Sequence, residues 1–169
     1  MRLKLFLLVF FLNVTAAILP GSVLAQEQKN ENEITNWVTQ CSSANRASPK
    51  NCSMEQRVIL QETGRQIARF TVQAAADSKM PMSYLVHIPL GVSIRSGIQL
   101  KVDEREPIQI DIQTCDSAGC YAGDIISPDF QLAMGKGTKL AIIFSDLKKQ
   151  EIQIPINLNG FTVAYETIR

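Results

Sequence analysis

The sequence predicts an all-β fold: a single-domain antiparallel β-sandwich, or a partly open barrel, of about nine short strands with a short C-terminal helix. Three observations predict it. Apolar and polar residues alternate with the period of a half-buried strand along several stretches, among them Ile98 to Asp103 and Ile108 to Gln113. Gly, Pro, Asn, Asp and Ser clusters punctuate these stretches at short intervals. A helical period appears only in the tail, where Phe161, Ala164, Tyr165 and Ile168 stand at i, i+3, i+4 and i+7.

The first 25 residues read as a cleaved signal peptide. Arg2 and Lys4 form its basic start, Leu5 to Val14 its apolar stretch, and Val23-Leu24-Ala25 a small-residue cleavage site before Gln26. The apolar stretch is shorter than the roughly 20 residues that span a bilayer, so no transmembrane segment is expected after cleavage. Residues 26–33 (Gln26 to Glu33) are polar and charged and read as a flexible arm, and 34–169 as one β domain.

Of 17 basic residues two fall in the leader, so the mature chain carries 15 against 16 acidic ones. Near neutrality with both signs interspersed gives no support for nucleic acid as a partner.

All four cysteines (Cys41, Cys52, Cys115, Cys120) lie in the exported part, where an even count reads as disulfides. Three pairings are possible. Cys41–Cys52 with Cys115–Cys120 is favoured because each pair is close in sequence and flanks a turn. The C-x10-C and C-x4-C spacings are not those of zinc ribbons, and no metal or other cofactor is expected.

Trp37 reads as a core residue beside the first bridge, and Ser42 to Asn51 as the loop that bridge closes. Arg57–Glu62 and Ile67–Ala74, separated by Thr63-Gly64-Arg65, form a hairpin with Ala68, Phe70 and Val72 on one face. Tyr84, Val86 and Ile88 mark the next strand, ended by Pro89-Leu90-Gly91. Ile98-Leu100-Val102 and Ile108-Ile110-Ile112 are two half-buried strands. Cys115 to Cys120 is a turn that returns the chain through Tyr121 and Ala122. Ser127-Pro128-Asp129 opens about one helical turn before Gly135-Lys136-Gly137. Leu140 to Phe144, apolar on both parities, reads as a central strand covered on both faces. Ile152, Ile154 and Ile156 form the last strand, and the tail helix is expected to be capped by Asn157 or Asn159.

No residue set reads as catalytic. His87, the single histidine, sits within a strand with no nucleophile near it in sequence, and bridged cysteines supply none. Gly135-Lys136-Gly137-Thr138 has the ending of a phosphate loop, but Phe130 stands where the first glycine is required. Asp103, Glu104, Glu106, Asp111, Asp116 and Asp124 are available as carboxylate pairs, yet they fall on turns and polar strand faces. Asn51-Cys52-Ser53 fits the glycosylation pattern only formally, since its middle residue is a bridge cysteine. Met80-Pro81-Met82 and Ile125-Ile126 are the apolar pieces that would mark a partner site if exposed, although core or loop packing is the expected reading.

Trp37 ahead of Cys41, Cys52 followed by Gln56-Arg57, Pro89-Leu90-Gly91-Val92, Gly97-Ile98-Gln99-Leu100, Cys115 with Gly119-Cys120-Tyr121-Ala122, and Gly160-Phe161 with Ala164 occur in that order. With the leader, this arrangement resembles the invasion-associated locus B family of exported Gram-negative proteins. The resemblance implies a β-rich periplasmic, secreted or outer-membrane-associated protein without an assigned reaction, linked in pathogens to the invasion of host cells, red cells included. Its partner would be a host-cell surface or bacterial envelope protein. A periplasmic small-ligand carrier, an envelope-integrity protein and a hydrolase using surface carboxylates are the alternatives.

Overall fold

The computed structural model describes residues 37–43, 45, 50–75 and 80–169. The signal peptide and arm expected over 1–33 lie outside them. Among the described residues, all of which fall in the compact unit Glu33–Arg169, ten strands form two antiparallel sheets. One sheet has six strands: β1 (Val38–Ser42), β2 (Asn51–Leu60), β3 (Arg65–Gln73), β4 (Ser83–Ile88), β8 (Cys120–Ile125) and β7 (Thr114–Cys115), in that spatial order. The other runs β10 (Glu151–Asn157), β9 (Lys139–Ser145), β5 (Ile98–Val102), β6 (Ile108–Ile110). Two helices, α1 (Pro128–Lys136) and α2 (Phe161–Ile168), complete the sandwich, and no sheet closes into a barrel.

Alternation explains the layering. Met54, Phe70, Val72, Val86, Ile88 and Ala122 of the six-stranded sheet are buried, as are Ile98, Leu100, Ile142, Ile154 and Ile156 of the four-stranded one, and one cluster joins them. Phe70 stacks on Tyr84 at 5.6 Å, and Tyr84 meets Phe130 of α1 edge-on at 5.5 Å. Trp37 is half-buried and lies edge-on to Phe161 of α2 and Phe70, at 5.4 and 6.3 Å.

Four expectations need correction. The segment after Ser127 is a nine-residue helix rather than one turn, because Phe130, Ala133 and Met134 bury a stripe beneath a Ser127 cap and Pro128. The tail helix is not capped by an asparagine side chain. Gly160 takes the capping position at φ +81°, while the Asn157 Oδ1 accepts from the Asn159 N–H. β6 ends at Ile110, short of Ile112. β9 is central in its sheet, but its cover is uneven: Leu140, Ile142 and Phe144 enter the core cluster, whereas Ile143 on the outer face is only half-buried. Ala141 is hidden there between Lys101 and Pro155 on the flanking strands and stands outside the core cluster.

β10 is an edge strand. The Asn157 N–H and C=O face away from β9 and pair with Gln56. Pro155, two residues earlier, shares that outward phase, so its missing N–H removes no ladder bond and the edge resists a further strand.

Candidate functional site

Both disulfides form as favoured, and each joins residues directly opposite on neighbouring antiparallel strands: Cys41 and Cys52 across β1–β2, Cys115 and Cys120 across β7–β8. The Cα atoms of each pair are 4.0 Å apart. All four cysteines are thus bridged.

The second clamp anchors a polar network. Asp116 accepts hydrogen bonds from the Ala118 and Gly119 N–H groups and from the Tyr121 hydroxyl, which fixes the four-residue turn. The Ala118 N–H bond is the main reason its carboxyl is held below the usual carboxylate range. His87 lies beside this turn, stacked on Tyr121 with 4.8 Å between ring centroids. Gln66 Nε2 lies 2.9 Å from Nδ1 and can only donate, so the proton sits on Nε2, which donates to the Ala118 carbonyl at 3.1 Å. Both ring nitrogens are therefore occupied by an amide and a carbonyl. That arrangement orients a loop and offers no base to a nucleophile.

Register continues this row across the sheet, with Arg57 opposite Arg69, Arg69 opposite His87, and His87 opposite Tyr121. Glu55 pairs with Arg57 and lies 3.9 Å from Arg69. The row sets two guanidiniums against the one Glu55 carboxylate and is only partly solvated, with Arg69 29% and Glu55 20% exposed.

Gly135-Lys136-Gly137-Thr138 is a structural junction. The Asp103 carboxylate takes the Thr138 N–H and hydroxyl and the Lys139 N–H at 2.7–3.3 Å, so those donors already hold an anion of the chain's own. The Thr138 hydroxyl bond leads in lowering the Asp103 pKa. Gly137 is required by packing, since a Cβ there would stand 2.5 Å from Val102 Cγ1 and 2.9 Å from the Ala133 carbonyl.

The remaining candidates disperse. Glu104 faces Lys101 at 3.7 Å, Asp124 caps its neighbour's N–H, and Asp111 is exposed. No cluster of three or more metal-ligating side chains occurs among the described residues. The two apolar pieces split between packing and exposure: Met82 and Ile126 are buried, Met80 and Ile125 exposed. Asn51 Oδ1 accepts from Gln73 Nε2.

One site escaped the sequence reading. A cleft of about 420 Å³ opens between β5, β6 and the start of α1. Leu100, Val102, Ile108, Phe130 and Ala133 form its apolar walls, with Arg105, Glu106 and Asp129 at its mouth. Arg105 and Glu106 belong to the charged turn already visible in sequence. Only the fold brings α1 against it.

The family model for invasion associated locus B (IalB) protein matches residues 37–169, which include both clamps, both sheets and both helices. The chain belongs to the IalB family. Its relatives include invasion protein B homologs of Brucella abortus strain 2308 and of B. abortus biovar 1 strain 9-941, each 24% identical over 159 residues, 94% of this chain and 87% of theirs. The crystal structure of invasion associated protein b from Bartonella henselae superposes with a TM-score of 0.68 at 21% identity, covering 78% of this chain and 90% of that one. The IalB fold is therefore a two-sheet sandwich in both, as the residue alternation predicts.

Proposed function

We propose that this IalB protein is an exported, non-enzymatic interaction protein of the bacterial envelope that acts in host-cell invasion, including that of erythrocytes, by binding a host-surface or envelope protein. Family membership over residues 37–169 is the observation that carries the reading, and the Brucella relatives bear the name of invasion proteins. Two disulfides suit an oxidising compartment, and the leader read over residues 1–25 supplies the route. No helix among the described residues is long and apolar enough to cross a membrane. A binding role is favoured over catalysis because every cysteine is bridged and both nitrogens of His87 are engaged in holding a turn.

Fractionation of cells expressing the full chain, with intact-mass analysis, tests the export half of this reading. The expected product begins at Gln26, carries two disulfides, and is found in periplasm, culture fluid or outer membrane. A full-length, reduced protein confined to the cytosol overturns it.

A further inference from the structure

We propose that the cleft between β5, β6 and α1 is a binding site for a small amphipathic ammonium ligand of the hydrophobic α-amino acid type. The volume of about 420 Å³ falls within the range of small-molecule pockets. Its walls are apolar and come from two different layers: Leu100 and Val102 from the four-stranded sheet, Phe130 and Ala133 from the helix. Those four residues are at most 6% exposed, so they are held by the core and form a preset surface. Ile108, 37% exposed on the edge strand β6, forms the accessible side of the cleft. An aromatic or branched aliphatic body is the complement of such walls.

The mouth supplies the polar specificity. Arg105, Glu106 and Asp129 come together there although Asp129 is more than 20 residues from the other two. The ion pairs formed among the described residues engage Glu55, Arg57, Arg69, Lys101, Glu104, Glu166 and Arg169, and none of the three mouth charges. Two unpaired carboxylates and one unpaired guanidinium call for a ligand carrying an ammonium, together with one carboxylate to meet Arg105. At the edge of an apolar cleft such pairs lie in a lower effective dielectric than on open surface. A hydrophobic α-amino acid satisfies walls and mouth together, whereas a fatty anion would meet two like charges. The inference goes beyond the proposed protein-binding role and rests on the cleft alone.

The test is a titration of the oxidised mature protein, followed through its backbone amide NMR shifts, with three compounds that share a phenyl ring and differ in charge. L-phenylalanine, 2-phenylethylamine and 3-phenylpropionate are used in parallel. The expected result is saturable shifts confined to amides lining the cleft, with phenylpropionate weaker by about threefold to tenfold. Asp129→Asn with Glu106→Gln weakens both amines. Arg105→Gln weakens phenylalanine and leaves phenylethylamine equal or tighter, since its ammonium loses a like charge, a split that general destabilisation does not produce. These mouth residues are exposed, and an unchanged amide spectrum away from the cleft verifies folding of each variant. Absence of saturable shifts at cleft amides up to about 10 mM, or equal affinity for all three compounds, overturns the proposal.

Discussion

The side-chain amide of Gln56 on β2 grips the backbone of Asn157 at the end of β10, 101 positions away, with both of its polar ends. Gln56 Nε2 donates to the Asn157 carbonyl at 3.0 Å, and the Asn157 N–H donates to Gln56 Oε1 at 2.8 Å. The pair imitates one rung of a β-ladder and ties the two sheets together from the core, where Gln56 is 4% exposed. Gln56→Leu keeps approximate volume and removes both bonds. Chemical denaturation should show a loss of about 1–3 kcal/mol, since the backbone donor and acceptor of the half-buried Asn157 lose their partner. A loss below about 0.5 kcal/mol would mean that packing alone joins the sheets.

Gly119 and His87 are coupled by space. A Cβ on Gly119 would collide with His87 Nε2 and the Ile88 carbonyl. Gly119→Ala should therefore destabilise the protein by about 2 kcal/mol or more. Adding His87→Ala removes only the side-chain half of the clash. A double-mutant cycle should show favourable coupling with incomplete rescue; strict additivity would contradict the geometry.

Removing either disulfide should lower stability through the unfolded state. Replacing both cysteines of a pair by serine should cost about 3 kcal/mol for Cys41–Cys52 and about 2 kcal/mol for Cys115–Cys120, following loop length. Denaturation midpoints of the two double variants, measured without reductant, give the ranking. The reverse order would indicate that the Asp116–His87 network depends strongly on its clamp.

Acid should act on Asp103. Its pKa is lowered in the fold, led by the Thr138 hydroxyl bond. Its stabilising contribution is present above the unfolded carboxylate value of about 4 and is lost as pH falls through the lowered folded value. Asp103→Asn should remove part of the pH dependence of the denaturation midpoint in that acid window. An unchanged slope would assign acid sensitivity to other carboxylates, Asp116 first among them.

Base should act on Tyr84. Burial, reinforced by Asp124, raises its hydroxyl to about 12. Being raised, it makes stability fall as pH rises from about 10 through that folded value, because only the unfolded chain ionises freely. Phenolate absorbance should resolve one tyrosine titrating near 12. Tyr84→Phe should flatten the alkaline loss of stability, and titration of all tyrosines near 10 would contradict the burial argument.

What the sequence disclosed follows from how locally each feature is encoded. Strands such as β5 and β10 carry their core face in a two-residue period, and α2 carries Phe161, Ala164, Tyr165 and Ile168 on one stripe, so both are legible without neighbours. The disulfides were legible because each spans one hairpin. Gln56 was not, since nothing local distinguishes a glutamine that faces solvent from one that meets a strand end 101 residues later. The length of α1 was masked by Gly135 within it, and its buried stripe shows only when the sheet beneath is known. The cleft is a product of topology: residues 100–108 and 127–133 share it without any shared motif.

The role proposed for this IalB protein is binding at the host-cell surface or bacterial envelope. The most direct measurement is an equilibrium binding isotherm of the purified, oxidised mature chain on host-cell membranes and on bacterial envelope in parallel. A binding role predicts saturable binding to at least one of them, lost when the protein is unfolded by reduction and denaturant. Linear, non-saturable uptake on both preparations would contradict it.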